Sequence, residues 1–419
     1  MEIEGRGGLD VRMAVEALRN GVPNSAAVQE LGCKQPAAQD RFLQILQAAA
    51  DQAELSGGML VSGDFGTGKS HLLEHLEHLA LTQGFVCSKV SISKETPFYD
   101  LGKVFTSAME NGRTPDGRGR FIERLCHAID WTSSDYGAFS GWADQEASRG
   151  VLSALFPASL SVYEKLEDNA LRADIESFWA GDRILIGKVK RGLREVGEQG
   201  TWSFRAPRAA DLMPQRLRFM VELIRCAGYR GWVVLLDELE LIGSYSILQR
   251  GRAYAETARW MGRARGEAYP GLVVVGAVTS DFASAIISPD GQRKDRDYVP
   301  ARLEQNVRYR DIAGRAATGM RLLERECVAL AAPDSDDVKA TMESLRRLYR
   351  RAYGWEPPPS QAVAGGAGFM GRMRYKVRAA INEWDLQRLQ VADVPDTEFV
   401  AFDGSYDEDA APEQDTGGG

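Results

Sequence analysis

Two stretches of this chain carry residue types and spacings suited to chemistry on phosphates. The first is Gly63-Asp64-Phe65-Gly66-Thr67-Gly68-Lys69-Ser70, which fits G-x-x-x-x-G-K-[ST]. Glycines let successive backbone N–H groups turn inward around a phosphate, and the N-terminus of a following helix adds its positive end. In that arrangement Lys69 would reach the β- and γ-phosphates of a nucleotide and the Ser70 hydroxyl would bind Mg²⁺, with His71 next along the contact surface. The second stretch is Trp232-Val233-Val234-Leu235-Leu236-Asp237-Glu238, an apolar run ending in two carboxylates. Asp237 would hold Mg²⁺ through water. Glu238 would orient and polarise the water that attacks the γ-phosphate.

Further polar positions follow at the ends of other apolar runs. Leu272 to Val278 ends at Thr279-Ser280, where Thr279 would either fix the attacking water or cap its strand. Arg302 lies beyond that run, with Arg308 and Arg310 as rivals. An arginine placed there reaches the γ-phosphate of a neighbouring subunit in ring ATPases, or is a plain surface charge. His71, His75 and His78 share one helix face at a metal-compatible spacing, but no fourth ligand accompanies them, so a helix-surface role is expected. Lys188, Lys190, Arg191 and Arg194, continued by Arg205, Arg208, Arg216 and Arg218, are either a solvated face or a phosphate-contact surface.

These residues need elements to hold them. Met59 to Ser62 reads as a short buried strand after the Gly57-Gly58 break, and His71 to about Gln83 as the helix after the loop, with leucines at helical spacing. Phe85 to Ile92 reads as the second strand, 232–237 as the third, 272–278 as the fourth and Val307 to Ile312 as the fifth. Glu95-Thr96-Pro97-Phe98-Tyr99 turns into a helix through Met109, followed by a loop at 111–117. Residues 1–56 read as a helical segment, in which the turn Gly21-Val22-Pro23-Asn24 lies beside the adenine or simply joins two helices. Residues 57–313 form the core, with a mostly helical insertion at about 111–205. Residues 314–392 form a C-terminal helical region whose last helix spans 369–384.

Composition bounds the rest. The chain has 419 residues, 44% of them hydrophobic and 26% charged, an ordinary globular composition with room for two or three domains. It has no apolar run long enough to span a bilayer and no basic-then-apolar N-terminal pattern, so a cytoplasmic protein is expected. Five scattered cysteines without a C-x-x-C spacing argue against a disulfide framework. The net charge of −8 is unevenly placed. Residues 393–419 hold nine acids and no Lys or Arg, so the remainder is close to neutral, and this acidic tail is expected to be disordered.

The combination of glycine-rich loop, Asp237-Glu238, Thr279, a trailing arginine and a helical lid with arginines resembles the AAA+ ATPases. Within them Glu95-Thr96-Pro97-Phe98-Tyr99 and Gly371-Arg372-Met373-Arg374 are similar to the origin-recognition and replication-initiator branch. More closely, Gly21-Val22-Pro23-Asn24, Gly63 to Ser70, Ser93-Lys94-Glu95-Thr96-Pro97 and the lid helix resemble the ATP-binding protein of BREX-type bacterial anti-phage systems. That resemblance covers most of 9–392, loosely in 111–205, and not the tail. It implies an α/β fold, a parallel AAA+ sheet in the order 5-1-4-3-2 with a helical insertion and a C-terminal lid. It also implies ATP and Mg²⁺ as cofactors, and Arg374 as the lid residue that touches nucleotide, with Arg372 and Arg378 as alternatives. A homo-oligomer, ring or filament, is expected. DNA and other defence components (helicase, methyltransferase or phosphatase-like) are the implied partners, with no membrane. The implied activity is a DNA-associated ATPase that loads or switches partners; a nucleotide-gated scaffold with slow turnover is the other reading, and a helicase proper a third.

Overall fold

The computed structural model describes residues 2–21, 24–51, 57–117, 119–203, 209–264, 269–360 and 373–389. The acidic tail, Arg205, Arg208, Arg372 and the Val22-Pro23 half of the first turn lie outside these. Among the described residues no helix is long and apolar enough to cross a membrane.

Six strands form one sheet: β1 (Met59–Ser62), β2 (Val86–Ser91), β3 (Gly112–Arg113), β4 (Trp232–Asp237), β5 (Leu272–Val278) and β6 (Cys327–Ala329). Their order is β3-β2-β4-β5-β1-β6. All pairings are parallel except that of β3 with β2. Every residue of β4 and β5 is buried, as a parallel strand covered on both faces requires. The register aligns Ser62 with Val278 and Ser91 with Asp237. The C-terminal ends of β1, β4 and β5 therefore open onto one crevice, the usual ligand side of such a sheet.

The sheet order differs from the expected 5-1-4-3-2 at both edges. Residues 307–312 do not form a strand; Arg310–Ile312 is a short 3-10 turn. Their apolar-polar alternation imitates a half-buried strand, but Val307 is 84% exposed and Arg308, Arg310 and Asp311 face solvent. The partner of β1 is instead β6, which follows the helix Ala313–Arg325. At the other edge, β3 adds an antiparallel ladder where a loop was expected.

Helices cover both faces. Pro36–Ala50 and Lys69–Thr82 bury Phe42, Leu46, Leu72 and Leu76 against Val61, Val233 and Val275. On the other face Leu60, Val234 and Val274 meet the helices Leu101–Glu110, Ala209–Cys226, Ile247–Trp260 and Ala313–Arg325. The last two pack so closely that a Cβ on Gly319 would lie 1.9 Å from the Tyr254 carbonyl oxygen. A buried bidentate pair joins Ile247–Trp260 to the helix Asp295–Glu304. Arg250 donates from Nε and Nη2 to Asp295 at 2.7 Å each, and Tyr254 donates to the same carboxylate at 2.6 Å.

Five helices between residues 121 and 195 form the insertion. They share the main core through the rings of Phe139, Phe156 and Trp179 around Phe219. The basic stretch does not make one surface. Arg216 is buried and donates to the carbonyls of Phe178 and Asp182, Arg218 pairs with Glu146, Lys188 with Asp174 and Arg191 with Asp168.

Among the described residues, a separate small core joins the first helices to the last ones. Ala14, Val15 and Leu31 pack against Met342, Leu345, Tyr349, Val377, Ile381 and Trp384. Arg12 donates to the Ala352 carbonyl at 2.8 Å, and Arg19 pairs with Asp385. The helices Glu2–Asn20, Ser25–Leu31, Ser335–Tyr353 and Met373–Leu389 thus pack with one another, whereas Ala313–Arg325 and β6 pack with the sheet.

Candidate functional site

The loop after β1 has the backbone its glycines permit. Gly66 and Gly68 adopt φ of 83° and 95°, the left-handed region in which a Cβ is strained. A Cβ on Gly63 would lie 2.5 Å from the Thr67 hydroxyl, which donates to the Asp64 carbonyl at 2.8 Å. The Gly68 carbonyl accepts from Leu72 N–H at 2.8 Å and starts the helix Lys69–Thr82. Its free N-terminal N–H groups face the crevice. Lys69 Nζ folds back onto the loop, donating to Gly63 O at 2.8 Å and Asp64 O at 3.5 Å. Phe65, 54% exposed, sets its ring 5.2 Å from the same ammonium.

The acidic side comes from the end of β4. Asp237 is buried, and its Oδ1 accepts the Glu238 N–H at 3.1 Å. Glu238 takes φ of 64° and ψ of 36°, a conformation that costs a non-glycine residue about 1–3 kcal/mol. This kink turns the chain into the 3-10 segment Leu239–Ser244. Burial, then the charge of Asp237, push the Glu238 carboxyl above the ordinary range; Lys69 opposes them. Glu240 is also buried, with Oε1 3.9 Å from Lys69 Nζ. Burial is the main cause that raises its acid as well.

One cavity of about 690 Å³ joins these parts. Phe65 to His71 form its floor, and Asp237, Glu238 and Glu240 line one side. Gly32-Cys33-Lys34-Gln35, Leu18, Leu31, Met373, Arg374 and Val377 are among the residues that line the rest. The donor set fits a nucleotide with its cation: a cradle of glycines, an ammonium and a helix N-terminus for phosphates, and a hydroxyl with carboxylates for a hard cation. Apolar Leu18, Leu31 and Val377 offer a base or ribose contact surface.

A family model described as BREX system ATP-binding protein BrxC/D matches residues 10–121 and 210–361, more than half of the chain. The chain belongs to this family. It is thus an ATP-binding protein of the BREX phage-defence system. The matched segments of this BREX protein carry the glycine-rich loop, the Asp237-Glu238 pair and Thr279. Most of the helical insertion falls between them, and Arg374 lies beyond the second. No curated protein and no solved structure matches the chain.

The remaining expected site residues divide between those near the cavity and those far from it. Thr279 is 2% exposed just past β5, and its Oγ1 is buried without a hydrogen-bond partner; it does not line the cavity. Its neighbour Ser280 donates to the Asp64 carboxylate, which ties the loop to the end of β5. His71 donates from Nε2 to the Gly32 carbonyl at 2.7 Å, and burial lowers its pKa. His75 reaches Gln39 and His78 reaches Gln29, each at 3.2 Å, so the three histidines dock the loop helix on the N-terminal segment. Among the described residues no group of three or more His, Cys, Asp or Glu is arranged to hold a metal ion. Arg374 approaches the Gly21 turn, its Cδ 3.3 Å from where a Cβ on Gly21 would lie. Arg378 does not line the cavity.

Arg302 stands on the exposed face of Asp295–Glu304, outside the cavity. Arg308 stacks on Tyr309 at 5.4 Å, and Arg310 donates to the Glu304 carbonyl at 3.1 Å. Sequence reasoning missed Glu240 and the Gly32–Gln35 segment. The only sequence signal for Glu240 was a third acid three residues after Asp237. Gly32–Gln35 carried none, because the cavity lining comes from packing.

Proposed function

We propose that this protein is an AAA+ ATPase that binds ATP with Mg²⁺ in the 690 Å³ cavity and hydrolyses it. The observation that carries the reading is the convergence of Lys69, Ser70, Asp237 and Glu238 on that one cavity. Lys69 and the loop N–H groups bind the phosphates. Ser70 and Asp237 hold the cation, which when bound supplies charge neutralisation at the transferring phosphoryl group. Glu238 orients the attacking water, and its carboxylate accepts the proton as the water attacks. Thr279 sits just past β5 with its hydroxyl buried and unpartnered outside the cavity, so it would reach that water only after a local rearrangement. Arg374 and His71 line the nucleotide from the lid and loop sides. Arg302 completes the site from a neighbouring copy in a ring or filament; its exposure and its absence from its own cavity support that reading. DNA and other defence components are the partners that nucleotide turnover loads or switches, on the likeness to initiator ATPases.

A second reading, a nucleotide-gated scaffold with slow turnover, draws on the small core that joins the first helices to the last ones. It lies against the cavity through Leu18, Met373 and Val377. The experiment is ATPase turnover with and without duplex DNA, alongside solution mass with ATP. DNA-stimulated turnover supports the loader. Nucleotide-dependent assembly without a DNA response supports the scaffold.

A further inference from the structure

Asp237, Glu238 and Glu240 place three carboxylates within four residues of the site, and the two roles above use only the first two. Glu240 is not spare surface charge: its side chain is only 10% exposed, and the kink at Glu238 turns it back into the cavity. Its valences are only partly met: its own backbone N–H favours the ionised form, yet one oxygen stays bare. Its Oε1 lies 3.9 Å from Lys69 Nζ, beyond hydrogen-bond reach, and its Oε2 is buried with no partner. A buried carboxylate oxygen left in that state costs stability, so a reason for keeping it is to be sought in ligand binding. Lys69 meanwhile spends its own hydrogens on Gly63 O and Asp64 O. The ammonium that has to meet a triphosphate is thus engaged with its own loop and faces a carboxylate on the other side.

We propose that Glu240 sets the affinity of the site for nucleotide polyphosphates. Its charge helps keep Lys69 seated between the loop carbonyls and Glu240 itself, and it stands beside the phosphates when they arrive. A polyphosphate must draw Lys69 away and tolerate a like charge nearby, so it binds less tightly than the rest of the cavity allows and leaves more readily. Glu240 acts through Lys69 and is a positioning residue. The inference rests on the reading of this cavity as the ATP site.

The test is equilibrium binding of ATP, ADP and AMP to the full chain and to Glu240→Gln, each with Mg²⁺ and with chelator. Glu240→Gln is expected to bind ATP about tenfold more tightly with or without Mg²⁺, less than a direct like-charge juxtaposition costs because Lys69 stands between the charges. AMP, too short to reach Lys69, is expected to bind both proteins alike. Equal or weaker ATP binding by Glu240→Gln, or a gain shared equally by AMP, overturns the proposal; a loss seen only with Mg²⁺ would make Glu240 a cation ligand instead. Glu240→Asp keeps the charge but draws it back from Lys69. It is expected to fall between the two proteins, and it carries the test if the Gln variant does not fold; ATP binding weaker than in the unaltered protein overturns the idea. A protein that binds no ATP in its unaltered form defeats the ATP-site reading, whereas one that binds ATP and gains nothing from Glu240→Gln defeats only this inference.

Discussion

The loop-and-strand half of the site and the arginines differ in how their side chains are held. Lys69, Asp237, Thr67 and Ser280 are fixed within the chain by hydrogen bonds to neighbouring loop and strand ends. Arg302 and Arg374 are exposed and make no hydrogen bond or ion pair among the described residues. The first group is held by the chain itself, and for Lys69 that hold is one a polyphosphate would have to break. The second group still has its contacts to make. The difference teaches where to look for completion: on the proposed reading the acids and the lysine would define what is bound, and the arginines what must approach.

The comparison can be broken at either half. The largest effect is expected from Lys69→Ala, which should abolish saturable ATP binding measured by calorimetry; undiminished binding would remove the loop from the site. Next, Arg302→Ala should bind ATP normally and lose turnover on the order of 10³-fold. Mixing it with Lys69→Ala subunits should restore part of the rate, since each variant then supplies the part the other lacks. No recovery in mixtures shown to co-assemble would move attention to Arg308. Glu238→Gln should retain ATP and lose turnover by roughly 10²-fold or more, the usual yield of a positioned base. Unchanged turnover per bound ATP would reassign the water to another group. The smallest effect is expected from Arg374→Ala. A charge-assisted contact from an exposed side chain should weaken ATP binding by about tenfold or less, and no change at all would leave the lid arginine without a role toward nucleotide.

Much of the first half was legible in the sequence, because local chemistry dictates it. Gly66 and Gly68 stand where positive φ is required, and the run 232–236 is apolar throughout because both faces of β4 are covered. The edges of the sheet were not legible. β6 is three residues long and partly exposed, too short to leave a periodic signal, while 307–312 shows strand-like alternation on a segment facing solvent. Glu240 was missed because its direction depends on the left-handed turn at Glu238, which no pattern of side chains announces. The packing of the N-terminal helices on Ser335–Tyr353 and Met373–Leu389 was out of reach for a different reason. Contacts such as Arg12 with Ala352 join residues hundreds of positions apart, and nothing local encodes them.

On the proposed reading, the packing of the N-terminal helices on Ser335–Tyr353 and Met373–Leu389 would let nucleotide occupancy be felt well beyond the loop. Leu18 and Val377 line the same cavity, so a nucleotide bound there as proposed would add its binding energy to the association of helices that the chain otherwise holds together by a modest core. Loss of Glu2–Asn20 or of Met373–Leu389 would strip the same contacts, and the two truncations would resemble each other more than either resembles an internal lesion. Protection of both helices against proteolysis would rise and fall in step with nucleotide concentration. The helices Glu2–Asn20 and Met373–Leu389, not the sheet, would be the readout by which another protein distinguishes the loaded from the empty form.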